Sequence, residues 1–333
     1  MEKHENIVWG VIGAGDVCEV KSAPAMMQIP FSKIKIIMRR NEVKAADYAT
    51  RHAIPNWTTN LDDVLNDPEI NAVYIATPPG SHAELAIKAA KAGKAVYVEK
   101  PMANTAAECQ SMIDACREAG VLLYVAYYRR TLPGFLKVKE LVESGILGDI
   151  RFVNMEMNQP INPKLIANSD ENWRVFPEIA GGGYFHDLAS HQFDYLDFLF
   201  GEIEEAKGIS MNQAGLYPGD DIVSASFRFK NGIIGSGIWC FSTSPVSEKD
   251  TIQLMGSKGE LSFSTFGNPM IIELLTSEHG KQQFEFSHSQ PIQKPLIQLI
   301  VDELRGENKS PSTGVSAART TRILEEICMK PID

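Results

Sequence analysis

Cysteine is scarce and scattered in this chain: Cys18, Cys109, Cys116, Cys240 and Cys328 are the only five among 333 residues. No two stand at CxxC spacing, which excludes a disulfide scaffold as the organising device and leads us to expect reduced thiols in the cytoplasm. The seven histidines and five cysteines do not cluster at ligand spacings, so no metal is expected. No apolar run approaches the length of a membrane span. The polar start, Met1 to Asn6, is too short for a secretory leader. Positive charge is also in deficit, 32 Lys and Arg against 42 Asp and Glu for a net charge of −10. Neither nucleic acid nor an anionic membrane is therefore an expected partner. Repeats and low-complexity segments are missing as well.

What is present is a globular composition, 44% apolar and 22% charged, with length enough for about two domains. The first half alternates strand and helix. Ile7–Ile12 is an apolar run that stops at Gly13-Ala14-Gly15-Asp16-Val17-Cys18, and a helical pattern follows. Gly13 permits a tight turn, Gly15 lets a pyrophosphate approach the backbone, and Cys18 is small enough for close helix–strand packing at the third fingerprint position. A structural turn with no ligand is the competing reading of this short match.

A further absence is informative. The second strand, Lys33–Met38, ends at Arg39-Arg40, where a dinucleotide fold that prefers NAD places an acid for the ribose hydroxyls. A carboxylate there would repel a 2′-phosphate, whereas a guanidinium matches it with a planar fork of donors. NADP(H) is the expected cofactor, with NAD(H) as second choice.

The alternation continues. An amphipathic helix over Asn41–His52 is expected to bury Val43, Ala46 and Ala49, and a short helix starts at Leu61. The strand from Ala72 breaks at Thr77-Pro78-Pro79-Gly80-Ser81-His82, and a helix runs to Lys91. Lys94-Ala95-Val96-Tyr97-Val98-Glu99-Lys100-Pro101 then reads as a buried strand ended by a proline, which has no N–H to donate. A helix Ala106–Ala119 and a strand Val121–Tyr127 follow. Successive strand–helix units call for a doubly wound parallel sheet, whose carboxyl edge collects Gly13, Thr77, His82 and Lys100. His82 reads equally as a cap or surface residue.

At this point the chain resembles the glucose–fructose oxidoreductase, inositol dehydrogenase and MocA family. The resemblance is carried by Gly13-Ala14-Gly15, by Ala76-Thr77-Pro78-Pro79 with His82, and above all by Glu99-Lys100-Pro101. It implies an α/β nucleotide-binding domain over 1–127 and an α+β domain over 128–333, built on a large open, mainly antiparallel sheet, whose final helix packs back near the first domain. It also implies a cis Lys100–Pro101 peptide that turns the lysine toward the nicotinamide.

The second half agrees in pattern. A helix from Phe135 closes at Gly145, a half-buried strand runs from Gly148 to Met157, and strand follows strand from Glu205 to Phe286. Asn231-Gly232 and Gly256-Ser257-Lys258-Gly259 are hairpin turns. A sheet with this much alternating apolar surface is expected to meet a second copy, giving a homodimer or homotetramer. A final helix over Ala317–Met329 follows a polar segment.

Gly181-Gly182-Gly183 opens a helix on which Asp187 and His191 stand four apart, one turn from each other on one face. A helix cap and a core histidine would explain the pair equally well. The segment is similar to the family's Asp-x-Gly-x-His helix, with Ala189 in place of the glycine. The resemblance implies that His191 exchanges a proton with the substrate, that Asp187 orients it, and that Lys100 polarises the reacting oxygen. Tyr128-Arg129-Arg130 resembles an Asn-Arg-Arg element at the substrate, with Tyr128 replacing the Asn. Trp173-Arg174 resembles a Trp-Arg pair at the cofactor. The implied activity is hydride exchange between NADP(H) and a sugar or polyol. A glycosidase that holds NAD permanently, and a cofactor-sensing regulator, remain as alternatives.

Overall fold

The computed structural model describes residues 3–161, 165 and 172–329, so Met1 and Glu2 of the polar start lie outside it. The chain forms two compact units. The first is built from residues up to Tyr128 together with Ser289–Ala318, and the second from Arg129 to His288 for the most part, with residues from Arg319 onward.

The first unit contains a parallel sheet of six strands: β1 (Ile7–Ile12), β2 (Ser32–Met38), β3 (Asn56–Thr58), β4 (Ala72–Ile75), β5 (Ala95–Val98) and β6 (Leu123–Val125). Their order is β3-β2-β1-β4-β5-β6, the doubly wound arrangement, and it reverses between β1 and β4. β1, β4 and β5 are buried at every position, which fits strands covered on both faces by helices. Those helices are α1 (Ala23–Gln28), α2 (Glu42–Arg51), α3 (Leu61–Leu65), α4 (His82–Lys91) and α5 (Ala106–Ala119). Local chemistry sets their ends. Asn41 caps α2 by accepting from Lys44 N. Thr105 and Glu108 form a reciprocal capping box on α5, and Gly120 closes it in a left-handed conformation at φ 68°.

Two details differ from expectation. Val43 is exposed and Ala46 only half-buried, whereas Ala49 is buried as expected, together with Ala45 and Tyr48. Tyr48 offers far more apolar surface than Val43, so the helix turns to sink the ring. The helix after the glycine loop also opens with a π-helical turn, Cys18–Ser22, ahead of α1. Pro24 lacks the N–H that a regular α-helix would use, and the widened turn takes up that break.

The second unit holds eight strands: β7 (Ile150–Asn158), β8 (Ile203–Met211), β9 (Ile222–Phe229), β10 (Ile234–Cys240), β11 (Lys249–Gly256), β12 (Gly259–Phe263), β13 (Met270–Thr276) and β14 (Gly280–Phe286). They are ordered β14-β13-β12-β11-β7-β10-β9-β8. All neighbours are antiparallel except β7 and β10, which run parallel. The hairpins fall at the expected turns, with Gly232 at φ 89° between β9 and β10. Burial alternates strictly on β9 and β10. The buried face packs on helices α6 (Pro133–Glu143) and α8 (Gly183–Phe200), which follows the short α7 (Pro177–Ala180). Phe193 of α8 meets Trp239 and Phe227 of the sheet at ring centroids of 5.5 and 5.3 Å. The other face carries Phe152, Ile209, Ile234 and Ile238, all exposed.

A helix the sequence reading did not anticipate, α9 (Lys294–Leu304), packs on α1 and on the π turn. It buries Leu296, Ile297, Ile300 and Val301, which places Ser289–Ala318 with the first unit rather than with the sheet that precedes it. The last helix is α10 (Gly314–Cys328). No helix among the described residues is long and apolar enough to cross a membrane.

Candidate active site

Each unit offers one cluster of candidate residues. In the first, the loops after β1, β4 and β5 end side by side because their strands are neighbours. Gly13 sits at φ 85°, and a Cβ there would lie 2.6 Å from Thr77 Cγ2 and 2.9 Å from Thr77 N. Glycine is therefore required both by conformation and by the close approach of the Thr77 loop. Gly15 is exposed and a Cβ there would meet nothing within 4 Å, so the missing side chain leaves open space above the loop. Asp16 is exposed beside it, Val17 is half-buried, and Ala14 is buried under the loop.

At the end of β2, Arg39 N donates to Thr58 O at 3.1 Å, which fixes the backbone where the arginines emerge. Arg39 is half-buried and Arg40 exposed. Open space over Gly15 at the carboxyl edge of β1 fits the close approach of a dinucleotide's phosphates.

The residues around Lys100 are held on both sides. Glu99 is buried, and its Oε1 accepts from Tyr74 Oη at 2.6 Å and from Gln293 Nε2 at 2.8 Å. Gln293 in turn accepts from Tyr97 Oη at 2.9 Å. Burial raises the Tyr74 pKa well above the ordinary phenol value, with the Glu99 carboxylate adding to it, so the hydroxyl stays a donor. Lys100 itself is half-buried, and the Lys100–Pro101 peptide is cis.

On the far side of that peptide stands His82, fully buried. Its Nε2 lies 2.7 Å from Thr77 O, and its Nδ1 lies 3.1 and 3.2 Å from Pro101 O and Met102 O. Burial draws the His82 pKa below the imidazole range, against the pull of these carbonyls and of Glu99. The ring thus ties the loop after β4 to the loop after β5, and both of its nitrogens face backbone. Pro78 and Thr77 are half-buried, with Thr77 Oγ1 accepting from Ser81 Oγ at 2.7 Å.

In the second unit the site is built on α8. Gly182 caps it and Gly183 opens it: a Cβ on Gly182 would lie 2.0 Å from His186 Nδ1, and Gly183 sits at φ 72°. Asp187 and His191 are both buried, one turn apart. Asp187 Oδ2 accepts from Arg174 Nε at 3.1 Å, an ion pair whose side chains are 10% and 8% exposed. Arg174 belongs to the 3-10 turn Trp173–Val175, in which Trp173 is half-buried.

Tyr128 is buried, and Arg129, also buried, donates from Nε to Thr265 O at 2.9 Å. Arg130 forms a two-pronged pair with Asp194, at 2.8 and 2.7 Å, with neither side chain more than 3% exposed. The His191 ring stands edge to face with Phe266 at a 5.7 Å centroid separation. Gln192, next to His191, accepts from Trp239 Nε1 at 2.6 Å and donates to Thr265 Oγ1 at 3.2 Å. The sequence reading passed over Phe266, Gln192, Tyr74 and Gln293. Tyr74 carried a signal, a polar group inside an otherwise apolar buried strand, whereas Gln192, Gln293 and Phe266 carried none. No group of three or more His, Cys, Asp or Glu that could hold a metal ion occurs among the described residues.

The family model for an oxidoreductase family with an NAD-binding Rossmann fold matches residues 7–127, and the GFO/IDH/MocA C-terminal domain matches residues 135–262. The chain belongs to the GFO/IDH/MocA oxidoreductase family. It is accordingly a dehydrogenase or reductase. Oxidoreductase P35 of Formosa agariphila is 39% identical over 97% of this chain and 98% of its own length. Levoglucosan dehydrogenase of Pseudarthrobacter phenanthrenivorans is 29% identical over 78% of this chain and 74% of its own. A solved levoglucosan dehydrogenase in complex with NADH and L-sorbose superposes with a TM-score of 0.83 at 25% identity, covering 97% of this chain and 96% of that one. A 3-ketoreductase of Actinomadura kijaniata in complex with NADP shares the fold, with a TM-score of 0.82 at 19% identity and 97% coverage of each chain.

Proposed function

We propose that this protein is an NADP(H)-dependent oxidoreductase that moves a hydride between the nicotinamide and a secondary hydroxyl or carbonyl of a sugar, polyol or related small molecule. The reading rests chiefly on the buried Asp187–His191 turn of α8, an imidazole one turn from a carboxylate that is ion-paired with Arg174. The relatives named for sugar substrates point the same way.

Residues 1–127 would hold the cofactor through Gly13, Gly15, the backbone of Asp16 and Val17, Thr77 and Pro78, with Arg39 and Arg40 at the 2′-phosphate, and Trp173 and Arg174 would add contacts from outside that segment. Ala14, His82 and Glu99, which are buried, would support these loops from beneath. Bound there, the nicotinamide supplies the hydride donor or acceptor. In oxidation His191 accepts the substrate hydroxyl proton and in reduction returns it. Asp187 holds the electrostatics of that exchange, and Lys100 hydrogen-bonds the reacting oxygen. Residues 128–333 would bind substrate and, through the exposed face of the eight-stranded sheet, a second copy in a cytoplasmic homodimer or homotetramer.

The test is a panel of neutral sugars and polyols followed by NADPH absorbance in both directions. Turnover of at least one member, lost in His191→Ala, is the expected result. No turnover with any of them would favour a cofactor-sensing regulator, and release of a glycoside's leaving group without net NADPH change would favour a glycosidase.

A further inference from the structure

Two residues of the loop after β12 are fixed with unusual completeness. Thr265 is buried; its carbonyl accepts from Arg129 Nε at 2.9 Å and its hydroxyl from Gln192 Nε2 at 3.2 Å. The next amide, Phe266 N, donates to Asp250 Oδ2 at 2.6 Å. Arg129, Gln192 and Asp250 come from three different elements. Each must give up water to make these contacts, which is a high cost for an ordinary turn. What the turn presents is one ring. Phe266 is half-buried, meets His191 edge to face at 5.7 Å, and has the Arg129 guanidinium 4.3 Å from its centroid.

We propose that Phe266 is an aromatic wall of the substrate site, held beside His191 to pack against the C–H face of a neutral carbohydrate ring. The inference rests on the role given to His191 above and adds to it a residue that would contact the substrate ring. A phenyl ring takes no part in proton exchange, so its use next to the imidazole is apolar surface of fixed orientation. A pyranose or cyclic polyol offers the matching partner, a patch of C–H bonds on one face with hydroxyls around its rim.

Charge in the same unit favours a neutral ring over an anionic one. Two arginines of this unit are taken up in buried ion pairs, Arg130 with Asp194 and Arg174 with Asp187, while Arg129 stacks on Phe266 and gives its Nε to Thr265 O. A sugar carboxylate or phosphate that reached for Arg130 or Arg174 would have to break a buried ion pair.

Calorimetric titration of the NADPH-loaded protein decides the matter, with levoglucosan and 1,5-anhydro-D-glucitol as neutral probes and D-glucuronate and glucose 6-phosphate as anionic ones. At least one neutral probe should bind tenfold more tightly than either anion. Phe266→Ala should weaken it at least tenfold, while Phe266→Tyr should stay within threefold of wild type. Phe266→Leu, which keeps apolar volume without the ring, guards against a collapsed loop and should also bind more weakly, at an unchanged Tm. Equal affinity in wild type and Phe266→Ala, tighter binding of an anion, or no binding of either neutral probe would overturn the proposal. His191→Ala run alongside separates the two claims. Lost turnover there with normal binding in Phe266→Ala removes only the wall. Unchanged turnover in His191→Ala with weakened binding in Phe266→Ala removes the proton-transfer role instead.

Discussion

Arg174 Nε donates to Asp187 Oδ2 at 3.1 Å, and both side chains are about nine-tenths buried. Asp187 therefore enters any chemistry already neutralised by a fixed cation, an arrangement that the i, i+4 spacing of Asp187 and His191 did not disclose. Removing one partner of a buried ion pair leaves the other charge stranded and typically costs about 3–5 kcal/mol. Arg174→Met should lower the unfolding free energy by about that much in a denaturant titration. Asp187→Asn, which keeps a hydrogen-bond acceptor for Arg174, should cost less. A loss below about 1 kcal/mol in Arg174→Met would show that the pair is not closed in solution.

His186 gives the fold a pH dependence of known sign. Its ring is buried beneath Gly182, and desolvation lowers its pKa from 6.5 to about 4. Between those values the unfolded chain takes up a proton that the folded chain refuses, so stability is full above pH 6.5 and falls on acidification toward 4. A shift of about 2.5 units corresponds to about 3 kcal/mol. His82 shifts in the same direction and adds to the effect. Carboxylates titrate in this window too, so the measurement is a difference: His186→Gln should lose less stability between pH 7 and 4.5 than wild type. Parallel curves would contradict the assignment.

Cofactor choice turns on the end of β2. Charge-assisted hydrogen bonds to a phosphate are worth about 1.5–3 kcal/mol each, so Arg39 and Arg40 together should favour NADPH over NADH by at least tenfold. Fluorescence titration of both cofactors measures this, and Arg39→Asp should narrow or reverse the ratio. Equal affinities in wild type would refute the NADP(H) preference.

Assembly follows from the sheet of the second unit. Phe152, Ile209, Ile234 and Ile238 share its uncovered side, and each is between 42% and 75% exposed. Light scattering should give two or four times the mass of one chain, and Ile234→Glu with Ile238→Glu should reduce it. A single-chain mass at micromolar concentration would argue against a self-pairing face.

Where helix ends carry their own chemistry, sequence was sufficient. α5 starts and stops where the residues indicate, and its capping box Thr105–Glu108 and its closing Gly120 are visible in the chain itself. The glycine turn and Lys100-Pro101 were legible for the same reason: few residue types fit such a backbone. What escaped notice depends on distant partners. Gln293 reaches Glu99 across 194 residues, and α9, hidden behind two prolines, finds its place only on α1 and the π turn. The parallel pairing of β7 with β10 is likewise invisible to any local pattern. His82 was noticed for its position at the strand edge, but local sequence could not show that its ring would be spent on the carbonyls of Thr77, Pro101 and Met102. Phe266 escaped because its neighbour is a helix 75 residues earlier, from His191 at 191 to 266.

The most direct test of the account is the turnover of His191→Ala and Lys100→Ala, measured as kcat/KM with the best sugar or polyol of the panel and paired with NADPH titration. Loss of a proton-transfer group costs about 10²–10⁴-fold, roughly 3–5 kcal/mol of barrier. Both variants should fall into that range. His191→Ala should bind NADPH as wild type does, whereas Lys100→Ala should bind it modestly more weakly. Near-wild-type turnover in a folded His191→Ala would contradict the central claim.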